Sequence, residues 1–280
     1  DTGGNPFKFG LIGSTDNHLG TPGLVAEDQF VGHAAGTVSA RLSIPPLPDR
    51  LDFNPGGLAV LWAEENSRDS LFEAMQRREA YGTSGPRMAV RMFGGFDPDP
   101  AACGTDRFVR EGYARGVPMG GDLAPQRTPS GAPSLSIWAL QDAGVSDRPG
   151  TPLERIQVVK SWIEDGETRT AVFDVAGSDE PGEVDLTTCA PAPGGAADLC
   201  TVWQDPSFAA ETPAVYYARV VERPSCRWNQ WVCNGAGVVC SQPETIRAGL
   251  EACCDDTVPR TIRERAWTSP IWYTPPEDSP

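Results

Sequence analysis

GLIGSTDNHLG, residues 10–20, is an apolar run that enters a turn of small residues and delivers Asp16 and His18, two positions apart, where a strand reads as ending. Side chains two apart on an extended chain point to the same side, so this carboxylate and imidazole can reach one ion. Carboxylate oxygen and neutral imidazole nitrogen suit a hard or borderline divalent metal. Two donors do not complete a site, because structural zinc takes about four protein ligands and catalytic zinc about three plus water. The chain has one other histidine, His33, in the loop that follows. It is a candidate third ligand or general acid/base.

Working outward, Phe7 to Ser14 reads as a short buried strand feeding the Asp16 turn. Residues 19–57 carry so many glycines and prolines that no period survives, which marks a long, functional or lid-like loop. Leu58 to Trp62 (LAVLW) is apolar at every position and reads as a second buried strand, with Glu64 and Glu65 at its exit. Were the two strands parallel, Glu64 would leave on the same side as Asp16 and could take a proton there. A helix follows, capped by Asn66 or Ser67 and carrying Leu71, Phe72 and Met75 as one apolar face. Gly82 and the Thr83–Pro86 turn should end it, and that turn could offer a hydroxyl and backbone N–H groups to an anion.

From Met88 the rhythm becomes that of strands between Gly/Pro loops, at residues 88–96, 134–140, 155–163, 170–175, 214–221 and 270–273, with a short helix near 246–253. This predicts an α/β segment over residues 1–87 and an all-β sandwich over 88–280. The 30 glycines and 27 prolines favour many turns and short elements. Eight cysteines, at 103, 189, 200, 226, 233, 240, 253 and 254, form no CxxC pair. Two histidines are too few to join them in ordinary zinc sites, so disulfides and an oxidising compartment, periplasmic or extracellular, are expected. The Pro/Gly/Ala loop between Cys189 and Cys200 cannot pack itself, so a bridge is expected there; spacing does not fix the other pairs, for which the expectation is Cys226 with Cys233, Cys240 with Cys253 or Cys254, and the remaining one with Cys103.

The balance of 23 Lys+Arg against 38 Asp+Glu, a net charge of −15, argues against a nucleic-acid partner. No segment has the apolar length of a membrane span, and no secretory signal precedes the turn, as expected of a mature, trimmed or partial chain. GxSxG, P-loop, GxGxxG and HExxH motifs are absent. Trp267 and Trp272 could stack on a sugar, though aromatic residues in a sandwich usually serve the core.

The blocks GLIGSTDNHLGTPG, LAVLWAEENSRDSLFEAMQRREAYGTSGPR, GVPMGGDL, RIQVVKSW, AVYYARVVERPSCRW and RERAWTSPIWYTP resemble the C-terminal half of a bacterial family known as a domain of unknown function. That family looks related to the PHP (polymerase and histidinol phosphatase) metal-dependent hydrolases. The resemblance implies that Asp16 and His18 are the final Asp-x-His ligand pair after a late strand of a β/α barrel. Tyr81, Thr83, Gly85 and Pro86 match a turn that recurs in related hydrolases. The earlier His-x-His motif is missing, so the resemblance implies that a preceding segment or a second chain supplies most of the site.

Residues 1–87 would then be the C-terminal edge of a PHP-like β/α barrel, followed by the disulfide-stapled β-sandwich. The implied function is a secreted or periplasmic, phosphoesterase-like hydrolase acting on a small anionic ester. Divalent Zn, Mn or Fe, completed by ligands outside this chain, would activate water. Asp16 and His18 would be metal ligands, with Glu64 and His33 as catalytic helpers. The alternative is a non-catalytic extracellular β-sandwich that binds or assembles.

Overall fold

The computed structural model describes residues 7–16, 20, 22–26, 51–123, 131–146, 148–178 and 181–276. His18 and His33 lie outside the described residues, as does most of the 19–57 loop. The order of elements is β1 (Leu58–Leu61), helix α1 (Arg68–Gln76), β2 (Ala80–Thr83), β3 (Ala89–Gly95), α2 (Phe108–Arg115), β4 (Val117–Pro118), β5 (Asp122–Leu123) and β6 (Ser134–Leu140). After these come β7 (Leu153–Glu164), β8 (Glu167–Gly177), β9 (Asp198–Gln204), β10 (Ala214–Glu222), β11 (Ser225–Cys226), α3 (Trp228–Gly235), β12 (Thr261–Ile262), β13 (Arg265–Thr268) and β14 (Ile271–Tyr273).

Two sheets share one core. In the larger, β10 pairs on one side with the long hairpin β7–β8 and on the other with β13 and β14; β13 continues through β2 to β1, and β14 to β5. The smaller runs β4-β3-β6-β9. Met92 and Ile137 from the smaller sheet meet Val158, Tyr216, Ala218 and Ile271 from the larger. Alternation along β10 buries Tyr216, Ala218 and Val220 while Val215, Tyr217 and Arg219 are half-buried on the other face, the period of two that a packed strand requires.

Every named pairing is antiparallel except β5 with β14, and no barrel closes among the described residues. The expected boundary at 87/88 falls in the link between β2 and β3, which enter different sheets. Hydrogen bonding crosses that boundary, because β2 is laddered to β13. The α/β and all-β portions therefore share a sheet.

Three local expectations are corrected. Phe7–Ser14 joins no ladder, and Phe7, Phe9, Leu11 and Ile12 are exposed. In α1, Ser67 caps as expected, accepting the Ser70 amide at 3.3 Å, but the inward residue is Ala74 while Phe72 and Met75 face outward. Gly82 does not stop α1. The helix ends at Arg77, Arg78 takes the left-handed conformation (φ 59°), and Gly82 sits inside β2. Its missing side chain lets the backbone of Ile12 and Gly13 cross the sheet at van der Waals contact.

All eight cysteines are paired, as Cys103–Cys200, Cys189–Cys226, Cys233–Cys253 and Cys240–Cys254. Of the expected partners only Cys240 with Cys254 is found. Cys200 lies in β9, an unforeseen strand, whose pairing with β6 carries it away from Cys189 and towards Cys103. Four disulfides belong to a protein that matures in an oxidising environment. No helix among the described residues is long and apolar enough to cross a membrane.

Candidate functional site

The chain from Lys8 to Thr15 crosses the outer side of β2 and β1. At its start, the Arg78 guanidinium donates to Lys8 O at 3.4 Å and Ser269 Oγ accepts the Leu11 amide at 2.9 Å. At its end, Gly13 N–H donates to Leu58 O at 3.1 Å and Gly57 N–H to Ser14 O at 2.7 Å. This reciprocal pair is antiparallel in sense, so the crossing chain runs opposite to β1. Gly13 and Gly57 have no room for a side chain, since each would press a Cβ into Thr83 O.

Asp16 emerges from this crossing exposed and in the left-handed conformation (φ 50°), its amide donating to Ser14 Oγ at 3.3 Å. A non-glycine residue there is uncommon, and aspartate is among those that tolerate it. The preceding Thr15 is buried.

The antiparallel sense separates two of the expected site residues. Glu64 follows the far end of β1, and Leu58 to Trp62 alone spans on the order of 13 Å at ~3.3 Å per residue. The structure does not bring Glu64 to Asp16. Glu64 and Glu65 are exposed, and their amides donate to Ser70 Oγ at 3.2 and 3.3 Å, at the entrance of α1. Carboxylates there complement the helix dipole.

The Thr83–Pro86 turn does lie at the Asp16 end. Ser84 N–H donates to Arg265 O at 2.8 Å, Arg265 N–H donates to Ser84 Oγ at 2.7 Å, and Ser84 Oγ donates to the Glu264 carboxylate. Glu264 is 7% exposed. Burial raises its carboxyl above the ordinary value of 4.5, opposed by the Ser84 hydrogen bond and by the charges of Arg227 and Arg265. The Arg87 guanidinium donates to Val25 O at 3.4 Å and Gly23 O at 3.3 Å, which fastens the start of the long loop to the same turn. Sequence reading missed Glu264 and Arg227. For Glu264 the available signal was the charge-rich RER run at 263–265; Arg227 lies outside it, in the PSCRW block at 224–228.

Among the described residues no group of three or more His, Cys, Asp or Glu side chains is arranged to hold a metal. Asp16, with His18 two residues on, offers the donor chemistry of one corner of such a site. Comparison with known proteins gives a match to the family model described as a protein of unknown function, DUF3604, over residues 1–275. The chain belongs to the DUF3604 family. No curated protein and no solved structure matches this DUF3604 chain.

Proposed function

We propose that this DUF3604 chain is part of a secreted or periplasmic metal-dependent hydrolase of the PHP-like, phosphoesterase type. Asp16 and His18 would furnish one corner of a divalent-metal site, and a further polypeptide segment bearing the His-x-His motif would supply the rest. The bound metals would activate water and neutralise charge developing on a small anionic ester. Asp16 would hold its corner through the strained turn that the Gly13–Gly57 crossing supports.

One observation carries this reading. The segment that delivers Asp16 presents Phe7, Phe9 and Ile12 at 67, 63 and 64% exposure, and α1 adds Phe72 and Met75 at 58 and 56%. Scattered exposed apolar residues are ordinary, but three large ones within residues 7–12 of one crossing segment mark an interaction surface, and α1 presents an apolar pair of its own. At about 1.5–3 kcal/mol for each fully buried side chain, and with each already roughly two-fifths covered, covering these five is worth about 5–9 kcal/mol before the costs of association. A β/α segment packed on the crossing segment would bring its own donors to Asp16.

The test is hydrolysis of p-nitrophenyl phosphate with Mn²⁺ by the full gene product containing this chain, beside residues 1–280 alone. Activity is expected only in the former and is lost in Asp16→Asn. Metal-dependent activity from residues 1–280 alone would sink the proposal. A full gene product that neither binds metal nor hydrolyses esters would favour the non-catalytic binding module.

A further inference from the structure

We propose that Arg227 is a positioning residue for the Asp16 corner, through which the disulfide-stapled C-terminal module holds that corner in place. The functional meaning rests on the reading of Asp16 as a metal ligand. The mechanical coupling stands on geometry alone.

Arg227 lies between Cys226 of β11 and Trp228, the first residue of α3, and is 7% exposed. Its guanidinium donates to three consecutive carbonyls: Nη1 to Leu51 O at 2.7 Å, and Nη2 to Asp52 O at 3.0 Å and to Phe53 O. Trp228 Nε1 donates to the same Phe53 O at 2.9 Å. Few side chains can do this, because only the planar guanidinium fork presents several fixed donors with a charge that persists at any working pH. Burial draws its proton affinity down, and the nearby charges of Glu264 and Asp52 oppose that.

The chain clamped at 51–53 is the one that reaches Gly56 and Gly57. Gly57 N–H holds Ser14 O, and a Cβ at Gly56 would stand 2.6 Å from that oxygen, so the segment forms the wall against which residues 14–16 rest. Asp16 sits in a backbone conformation that costs energy and persists only when its surroundings enforce it.

The other end of the clamp is covalently fixed. Cys226 is bridged to Cys189, and Cys233 of α3 to Cys253. Leu51 itself packs into the small core formed by Trp228, Cys233, Leu250 and Cys253. A continuous path therefore joins the C-terminal bridges to Arg227, to the 51–57 segment, and to Ser14–Asp16.

The experiment uses the full gene product and two variants: Arg227→Lys, which keeps the charge but replaces the fork by a point donor, and Cys233→Ser combined with Cys253→Ser. Hydrogen exchange is read at the Gly13 and Gly57 amides and along the β7–β8 hairpin. Mn²⁺ affinity is read by electron paramagnetic resonance. Loss of a charge-assisted hydrogen bond should speed exchange at Gly13 and Gly57 about tenfold. Mn²⁺ binding should weaken by a similar factor, with β7–β8 exchange unchanged. Faster exchange confined to 51–53 and 226–236, with Gly13 and Gly57 as in the wild type, would overturn the coupling. If the wild type binds no Mn²⁺, the metal reading fails while the exchange ratio still decides the coupling.

Discussion

Gly57→Ala tests the crossing that supports Asp16. A Cβ at Gly57 would run into Thr83 O, the backbone of the neighbouring strand, which cannot rotate away as a flexible side chain could. Relief requires residues 57–58 to shift away from Thr83 and relative to the crossing Gly13–Thr15 chain, which strains the two hydrogen bonds between them, Gly57 N–H to Ser14 O at 2.7 Å and Gly13 N–H to Leu58 O at 3.1 Å. Each bond is worth roughly 0.5–1.5 kcal/mol net. Overpacking a filled contact costs roughly 1–3 kcal/mol by itself. A local cost of about 2 kcal/mol follows, because the bonds are lost through relief of the clash and the two figures do not simply add. That corresponds to roughly thirtyfold faster exchange at the Gly13 amide, at 1.4 kcal/mol per factor of ten. Gly235→Ala is the control: it lies at the end of α3 with nothing within 4 Å of the added carbon, and should be neutral or slightly stabilising. Gly13 exchange within twofold of the wild type in Gly57→Ala would refute the reasoning about this crossing.

Three other outcomes follow from the fold. Lys160, buried in β7, bonds Asp205 at 2.7 Å and Ser207 O at 2.8 Å; Lys160→Met leaves a buried carboxylate without its cation and should cost about 3–5 kcal/mol in urea denaturation. Burial raises the Asp205 carboxyl, but bonds from Lys160, Ser207 and Tyr216 together lower it. Its stabilisation is therefore present above the ordinary carboxyl range and lost as pH falls through the depressed value, a slope that Lys160→Met should reduce. Glu264 has the opposite sign: its raised pKa makes its contribution full below 4.5 and lost as pH rises through the folded value. Glu264→Gln should then flatten that decline in a denaturation series across pH, and a steeper decline would contradict the assignment. Replacing Cys103 and Cys200 by serine opens a bridge of sequence separation 97 and should cost ~2–5 kcal/mol, read as a lowered thermal midpoint.

Much of the β architecture is legible because its strands are locally decisive. Ser134–Leu140 is read with the observed bounds, since its apolar run is closed by turn residues on both sides. LAVLW and AVYYARVV are similarly clear. What escapes reading is what long-range contacts decide. Phe7–Ser14 has the apolar content of a buried strand, yet it crosses the sheet with those side chains outward, a choice that depends on what covers them. Gly82 has the look of a helix stop because the chain that needs its missing side chain lies 69 residues away in sequence, at Gly13. The disulfide partners follow the placement of β9, whose DLCTVWQ run has no period-two alternation to announce a strand. Asp16 is a candidate from local spacing alone, but Glu264 nears its corner only through the β2–β13 pairing, and Arg227 only through its bonds to the 51–53 carbonyls. A tie from Glu64 to Asp16 requires parallel strands, and the antiparallel crossing removes it.

The most direct test of the central claim is a Mn²⁺ titration of the full gene product, wild type against Asp16→Asn, with residues 1–280 as the reference. The account predicts tight binding by the wild type, a loss of at least tenfold in the variant, and weak binding by residues 1–280. Equal affinity in wild type and Asp16→Asn would contradict it.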